Sequence, residues 1–376
     1  MVIDGNWNRD SVSFADAFAG RRVLVTGHTG FKGSWLTLWL DRLGATVTGL
    51  ALDPPTRPSN FAVSGVAGSL AADYRLDVRD LDGLCRVVSK AAPEVVFHLA
   101  AQSLVRQSYA APLETFGVNV VGTAAVCEAV RRWGQPCALV IVSSDKCYEN
   151  LEHGRAFEEH DPMGGRDPYS ASKGAAELVA ASYRSSFFDP AQLERHGVRL
   201  ATARAGNAIG GGDWTPDGIV ADTVRALAAG QPVQVRNPAA IRPWQHLLEP
   251  LSGYLTLAAR LLSDDAGRFC RGWNFGPAAK DQATVQELEE RFLAAWGRGS
   301  WVDCSAPDQP PEATVLRLDI GLARRELDWH PRWTLTEAIE RTVSWYRRYH
   351  DEAGADMQAV TLDDIVAYEQ AAPRKE

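Results

Sequence analysis

The strongest constraint on the fold is an alternation of short apolar runs and helical patterns between Arg21 and Arg204. The runs are β-branched or aliphatic and nearly continuous, as expected of strands that are covered on both faces. Between them, apolar residues recur at helical spacing and provide the crossovers that parallel strands need. The pattern therefore predicts a doubly wound parallel α/β sheet, with strands at 23–25, 47–52, 95–99, 139–142 and 200–203.

The alternation of strand and helix patterns ends after Arg204, where Gly- and Pro-rich segments such as 210–214 and 242–244 begin. Helical patterns return at 247–262, 285–296 and 335–349, which predicts a smaller, mixed α/β C-terminal domain. We expect residues 19–204 and about 243–277 to form the first domain, and about 205–242 and 278–350 to form the second. Residues 1–18 and 351–376 are expected to be peripheral tails.

Composition excludes several classes of protein. With 45% hydrophobic and 23% charged residues, the 376-residue chain is typical of a folded globular protein. Its formal charge of −8 argues against nucleic acid and anionic lipid as partners. The six cysteines form no C-x-x-C pair, and no His cluster has zinc-ligand spacing, so we expect free thiols, a reducing compartment and no metal. No signal-like start and no stretch approaching a membrane span is visible, which predicts a cytoplasmic protein without a membrane partner.

Glycine recurs at every third position where the first predicted strand runs into a helix. A backbone without Cβ can approach a pyrophosphate closely, and the amides at a helix N-terminus favour its charge. The G-x-x-G-x-x-G spacing differs by one residue from the commoner dinucleotide fingerprint, and an ordinary strand-turn-helix corner is the alternative. Four further βα units favour dinucleotide binding in a Rossmann-type domain. The expected contacts are Gly27, Thr29, Gly30, Phe31, Lys32 and Gly33.

Asp53 lies 20 residues beyond Gly33, at the end of the second predicted strand. An acidic side chain there bonds the adenosine ribose hydroxyls and repels a 2′-phosphate, which favours NAD over NADP. A plain turn residue is the alternative, because two prolines follow, and Arg57 stands near enough to meet a phosphate. Asp77 and Val78, after a third short strand, are expected to flank the adenine.

Tyr169 and Lys173 lie four residues apart in a segment with a helical pattern, so they share one helix face. We expect the Lys173 ammonium to lower the pKa of the Tyr169 phenol toward neutrality and make it a usable base. A solvated helix surface is the alternative, and the Rossmann-like context favours the functional interpretation.

Ser144, Asp145 and Lys146 follow the fourth predicted strand. Ligands of open α/β sheets bind at the carboxyl ends of strands, where a hydroxyl, a carboxylate and an ammonium can bond a substrate and move protons. Taken alone, the cluster favours a strand-end salt bridge, and the functional interpretation depends on the other motifs.

Together with His98-Leu-Ala-Ala-Gln102, these residues resemble the extended short-chain dehydrogenases/reductases that act on nucleotide sugars. Longer motifs narrow the resemblance to the CDP-glucose 4,6-dehydratases over about residues 20–350. These longer motifs lie at residues 30–35, 144–148, 163–169, 204–214, 241–246 and 272–276.

The resemblance implies a redox-neutral dehydration of CDP-glucose with NAD. Tyr169 would take the proton from the sugar O4, Lys173 would hold the nicotinamide ribose, and Ser144 would bond the O4 hydroxyl. Asp145 would protonate the departing C6 hydroxyl, and Lys146 stands where related dehydratases place the Glu that removes the C5 proton. A lysine can do so only if desolvation or a neighbouring cation lowers its pKa.

The resemblance also assigns the remaining binding residues. The nucleotide candidates include Arg242, whose fork suits a diphosphate, and Trp244, which could stack on a base or equally belong to the core. Further cofactor contacts are Leu99, Ala100 and Ala101, and further substrate contacts are Gln102 and Asn207. A homodimer or homotetramer and a role in deoxysugar biosynthesis, such as that of lipopolysaccharide O-antigen, are expected.

Three other functions compete with this one. A 4,6-dehydratase for another nucleoside-diphosphate hexose would keep all of these residues. A nucleotide-sugar 4-epimerase would keep Tyr169, Lys173 and the hydroxyl but needs no acid, so Asp145 and Lys146 argue against it. An NAD-binding regulator without chemistry should lack the Tyr169/Lys173 pair.

Overall fold

The computed structural model describes residues 14–306 and 315–375. Its centre is a parallel sheet in the order β11-β6-β5-β4-β1-β2-β3. The strands are β1 (Arg22–Thr26), β2 (Thr46–Ala51), β3 (Ala72–Arg75), β4 (Val95–His98), β5 (Cys137–Val142), β6 (Val198–Ala205), β7 (Ala208–Ile209), β8 (Val233–Val235), β9 (Ile241–Arg242), β10 (Gln245–His246), β11 (Gly272–Phe275), β12 (Ala283–Thr284) and β13 (Trp301–Asp303). The five predicted strands are β1, β2, β4, β5 and β6, and the doubly wound Rossmann-type sheet is confirmed.

Helices cover both faces of this sheet, and further helices lie in the region after β6. They are α1 (Phe14–Phe18), α2 (Phe31–Arg42), α3 (Asn60–Val63), α4 (Leu81–Ala91), α5 (Val105–Ala110), α6 (Pro112–Phe116), α7 (Gly122–Trp133), α8 (Pro168–Ser186), α9 (Leu193–His196), α10 (Ile219–Ala228), α11 (Leu248–Leu261), α12 (Val285–Trp296), α13 (Leu335–Asp351) and α14 (Met357–Gln370). Alternate strand residues face opposite layers: Val23 and Val25 pack with α2, whereas Leu24 packs with α4 and α7.

Helices α6 and α7 join through a π-helical turn into one helical stretch, Pro112–Trp133. By length and composition alone this stretch is apolar enough to cross a membrane, which corrects the expectation that no segment approaches a span. Half of its apolar window is buried inside the protein, with Val126 and Val130 in the core beside the sheet. A crossover helix that covers a parallel sheet needs such an apolar face.

The region after β6 is mixed α/β, as predicted. It contains the pairs β7–β10, β9–β12 and β8–β13, with α10 and α12 packed nearby. Its apolar residues, including Val224 and Phe292, belong to the same continuous core as Val23 on the central sheet. The division into two domains stays a prediction, and residues 1–13 and 307–314 of the proposed segments lie outside the described residues.

The C-terminal helix α14 corrects the expected peripheral tail after residue 350. Ile365 and Tyr368 are fully buried, and the Tyr368 ring packs edge-on against Trp39 of α2, with centroids 5.7 Å apart. The Tyr368 hydroxyl donates a hydrogen bond of 2.6 Å to Glu249 Oε2 on α11. The same carboxylate accepts bonds from the backbone N–H groups of Arg332 and Trp333. This segment therefore completes the core instead of lying on its periphery.

We predict that Tyr368→Phe lowers the free energy of unfolding by about 1–3 kcal/mol, because Glu249 loses a buried hydrogen-bond donor. Equilibrium urea unfolding measures this. Tyr74→Phe, at the half-buried edge strand β3, is the matched control and should change stability little. Equal stability of the two variants would contradict a structural role for the Tyr368 hydroxyl.

Candidate functional site

The turn between β1 and α2 is built for close approach. Gly27 has φ of +79°, and a Cβ there would lie 2.6 Å from the backbone nitrogen of Ala100 at the end of β4. A Cβ on Gly33 would lie 2.1 Å from the Gly27 oxygen. Gly30 is the N-cap of α2, and no side-chain cap occupies the first amides of this helix. The turn therefore fits a dinucleotide diphosphate.

The predicted adenosine contacts surround the carboxyl ends of β2 and β3. The Asp53 side chain is 89% exposed, with its Oδ1 3.3 Å from Arg75 Nε, so its carboxylate is accessible to a ribose. Asp77 is instead paired with Arg79, whose hydrogen bonds lower the pKa of Asp77. The Val78 side chain is buried in the core beside α7, which leaves only its backbone for the cofactor.

The segment after β4 forms the other wall of this cleft. Ala100 N donates to Thr26 Oγ1 at 3.3 Å, and Leu99 N donates to the Thr26 carbonyl at 3.0 Å, which fixes residues 99–101 beside the glycine turn. Gln102 differs from its predicted role in substrate binding. Its amide nitrogen donates to Leu104 O and Thr115 Oγ1, and its amide oxygen accepts from Leu104 N. These internal bonds occupy the Gln102 side chain in shaping the loop.

Two buried side chains of the turn, His28 and the predicted cofactor contact Thr29, make hydrogen bonds that were not predicted. His28 is fully buried, with Nε2 2.9 Å from Asp73 Oδ1, and desolvation lowers its pKa. Thr29 Oγ1 donates to the Leu52 carbonyl at 3.0 Å, tying the turn to the end of β2. Neither contact has a local sequence signal, because the partners are 45 and 23 residues away.

Lys32 lies among the charges of the predicted catalytic residues. Burial lowers its pKa to about 8, while the charges of Asp145 and Asp213 raise it and that of Lys146 lowers it. Lys32 therefore links the cofactor turn to the segment after β5 by electrostatic interaction with Asp145 and Lys146.

Ser144, Asp145 and Lys146 form a single tight turn at the end of β5. Ser144 is the N-cap of a 3₁₀ turn at Asp145–Cys147, and its hydroxyl donates to Asp145 Oδ1 at 3.0 Å. Asp145 is 2% exposed, and its Oδ2 has no hydrogen-bond partner among residues 14–306 and 315–375. Lys146 Nζ lies 3.9 Å from Asp145 Oδ1. A buried carboxylate oxygen without a partner marks a place where a ligand group can bind.

Tyr169 and Lys173 lie in the first turns of α8, which begins at the N-cap Asp167 and Pro168. Tyr169 is buried beside the Ser144 turn. Burial raises the pKa of its phenol, and the Ser144 hydrogen bond partly offsets this. Lys173 Nζ donates to the Val142 carbonyl at 3.3 Å. The expectation of a Tyr169 pKa lowered toward neutrality is therefore wrong for the chain alone, because desolvation is the largest influence on this phenol and raises its pKa.

Burial also acts on Lys173 itself. Its pKa is lowered to about 8, first by desolvation and then by the charge of Lys32, whereas Glu177 raises it. Tyr254 on α11 is a further neighbour that sequence reasoning missed. Its buried hydroxyl has no partner among the described residues, and burial raises its pKa, as do the charges of Tyr169 and Asp145. The structure thus brings all five predicted catalytic residues to one end of the sheet: Ser144, Asp145, Lys146, Tyr169 and Lys173.

The predicted nucleotide contacts have different environments. Asn207 is half-buried, and its Oδ1 has no hydrogen-bond partner among the described residues. Arg242 is 4% exposed and donates to the Ile241 carbonyl at 3.0 Å. Trp244 is 3% exposed, and its indole N–H donates to Ala283 O at 3.1 Å. The structure therefore supports the core alternative for Trp244 over stacking on a base, because its ring is packed and its polar atom is satisfied.

Comparison with known proteins adds to this geometry. A family model described as GDP-mannose 4,6 dehydratase matches residues 24–264. The chain belongs to the GDP-mannose 4,6-dehydratase family. Within the curated proteins, CDP-glucose 4,6-dehydratase of Salmonella typhimurium is 48% identical, covering 94% of this chain and 98% of the relative. The resemblance that the sequence motifs indicated is confirmed.

Solved structures show the same architecture. A dTDP-glucose 4,6-dehydratase of Streptomyces venezuelae, with NAD bound, has a TM-score of 0.75 and 26% identity and covers 88% of this chain and 98% of its own. A UDP-glucose 4-epimerase of Thermus thermophilus in complex with NAD has a TM-score of 0.72 and 26% identity, covering 87% and 99%. Both activities therefore occur on this fold, so the side chains must distinguish them.

We predict that Gly33→Ala weakens NAD binding at least tenfold, because the added Cβ would force the Gly27 carbonyl out of the turn. Isothermal titration calorimetry with NAD measures the affinity, and circular dichroism verifies the fold. Gly68→Ala is the control, since its Cβ would meet nothing within 4 Å. Unchanged affinity in folded Gly33→Ala would contradict the assignment of this turn to the diphosphate.

Proposed function

We propose that this chain converts CDP-D-glucose into CDP-4-keto-6-deoxy-D-glucose with NAD as an internally recycled cofactor. The observation that carries the proposal is the buried Ser144–Asp145–Lys146 turn beside Tyr169. It places an acid and an amine next to the oxidation groups, which removal of water requires and epimerisation does not. The 48% identity to a CDP-glucose 4,6-dehydratase supports the choice of nucleotide.

The glycine turn fits the dinucleotide, because Gly27 and Gly33 leave no room for a Cβ and no side-chain cap occupies the first α2 amides. In this proposal, the Gly27–Gly33 backbone holds the diphosphate, Asp53 bonds the adenosine ribose and Lys173 holds the nicotinamide ribose. When bound, NAD supplies uptake of a hydride from the sugar and its return.

The protein's own groups then move the protons. Tyr169 accepts the proton of the O4 hydroxyl, which Ser144 orients by a hydrogen bond. Asp145 delivers a proton to the departing C6 hydroxyl, and Lys146 takes the proton from C5. Lys146 Nζ lies 3.9 Å from Asp145 Oδ1, and the charge of Lys146 acts on Lys32 in the cofactor turn.

Oligomer, location and domain roles complete the proposal. Leu113 and Val121, on the stretch Pro112–Trp133, and Leu178 on the adjacent α8 are large exposed apolar side chains. A second copy of the chain covering them would form the expected homo-oligomer. We also propose that residues 205–242 and 278–350 hold the nucleotide sugar, in a cytoplasmic enzyme of deoxysugar biosynthesis.

The test of the reaction is CDP-glucose carrying deuterium at C4, in ordinary water. We predict that the label appears at C6 of a 4-keto product, with no net accumulation of NADH, as read by NMR and mass spectrometry. Label retained at C4 of an epimer would favour the epimerase. The same assay with UDP-, GDP- and dTDP-glucose tests the nucleotide specificity. Faster turnover of any of these three substrates than of CDP-glucose would contradict the assignment of cytidine.

A second prediction separates elimination from oxidation. Asp145→Asn keeps the shape of the side chain but cannot protonate the C6 hydroxyl, so the variant should oxidise C4 and then stall. Single-turnover absorbance should show persistent reduced nicotinamide. Tyr169→Phe is the comparison, with C4 oxidation reduced about 100-fold or more. If folded Asp145→Asn loses C4 oxidation as completely as Tyr169→Phe does, Asp145 only positions the substrate.

A further inference from the structure

Glu177 is a buried carboxylate that the reaction described above does not use. It lies one helical turn beyond Lys173 on α8, on the same face, and is 4% exposed. Its Oε2 accepts bonds from Arg204 Nη2 at 2.8 Å and from Thr202 Oγ1 at 2.7 Å, both on β6. The pair with Arg204 holds the carboxylate ionised, and the pKa of Glu177 is lowered despite its burial.

A buried ion pair of this kind contributes little net free energy to the packing of a helix against a sheet. Desolvating both charges offsets most of their attraction, and well-packed apolar residues of similar volume are often as stabilising or more so. Arg204 has other partners as well, since its Nη1 donates to Tyr148 Oη and to the Glu159 carbonyl, both at 2.8 Å. Packing alone therefore does not explain why an acid occupies this position.

The charges around Lys173 supply an explanation. Desolvation and the Lys32 ammonium both favour the neutral amine of Lys173, and Glu177 opposes them. An ionised Cys147 would also favour the Lys173 ammonium, but burial raises the pKa of this thiol well above the usual range, so it carries no charge near neutral pH. His98, on β4, is kept neutral by burial and by the Lys173 charge. Glu177 is thus the anion that partly offsets desolvation and the Lys32 charge at Lys173.

We propose that Glu177 is a positioning residue for Lys173: the carboxylate, held by Arg204 and Thr202, keeps the Lys173 side chain a cation at the catalytic end of α8. This inference rests on the proposed function for its consequence in catalysis but not for the coupling of the two side chains. A charged Lys173 can donate hydrogen bonds to a ribose and stabilise an anionic Tyr169, whereas a neutral amine does so weakly.

The coupling is measurable without any assay of turnover. The chain has six lysines, Lys32, Lys90, Lys146, Lys173, Lys280 and Lys375, so lysine ¹³Cε-labelled protein saturated with NAD gives few resonances. Lys173→Arg assigns the Lys173 signal by its loss. We expect Glu177→Gln to lower the titration midpoint of Lys173 by about one pH unit or more, the effect of removing a nearby opposite charge.

Two further variants separate charge from structure. Glu177→Gln leaves Arg204 unpaired and is expected to lower stability, whereas Glu177→Gln/Arg204→Gln has no unpaired charge and should recover part of it. The lowered midpoint of Lys173 should persist in the double variant, and Glu177→Asp should restore the wild-type midpoint. Glu289→Gln, a buried carboxylate on α12 that is bonded to Thr223, is the control and should leave Lys173 unchanged.

The outcomes distinguish this inference from the proposed function. Because Lys173 would lose its proton at lower pH, the alkaline limb of C4 oxidation should move to lower pH in Glu177→Gln by the shift seen in NMR. An unchanged Lys173 midpoint in Glu177→Gln, or one restored in the double variant, overturns the inference even if the chain is a dehydratase. A lowered midpoint in a protein that does not turn over CDP-glucose supports the coupling and contradicts only the proposed function.

Discussion

The close contact between the β1–α2 turn and the end of β4 is the constraint on which the site depends. These strands are neighbours at the point where the sheet order reverses, so their carboxyl ends open a crevice between them. The backbones of Gly27 and Ala100 are so close that a Cβ on Gly27 would lie 2.6 Å from Ala100 N. The two walls of the crevice are therefore fixed by backbone rather than by mobile side chains. The crevice can therefore hold an extended dinucleotide at a constant distance from the groups that follow β5.

A buried polar network connects the central sheet to the segment that follows the Ser144–Asp145–Lys146 turn. The Tyr148 ring stacks on Phe157 at 4.8 Å, and its hydroxyl accepts from Arg204 and donates to Asn274 Oδ1 on β11. Asn274 Nδ2 in turn donates to the Phe157 carbonyl. These hydrogen bonds join β6 and β11 to the turn that carries Asp145.

Sequence reasoning predicted what local pattern encodes. The continuous apolar runs identified five strands, and the glycine spacing, Tyr169 and Lys173 were found because their signals lie within a few residues. It did not predict β11 or the burial of α14, since both depend on partners distant in sequence, such as the bond from Tyr368 to Glu249. It also missed the direction of the pKa shift of Tyr169. Helical spacing predicts that Lys173 is a neighbour of Tyr169, but it does not predict how deeply the phenol is buried, and burial raises its pKa.

The charges of the site explain why burial and catalysis go together. Lys32 and Lys173 both have pKa values lowered to about 8, so near neutral pH each remains mostly charged but sits close to its titration. Desolvation creates this state, and it is limited by the charge of Asp145 on Lys32 and by that of Glu177 on Lys173. An anionic diphosphate entering beside Lys32 would favour the charged form of the amine. Ligand binding and protonation of the site are therefore linked, and a more solvated crevice would lose that link because water would screen the charges.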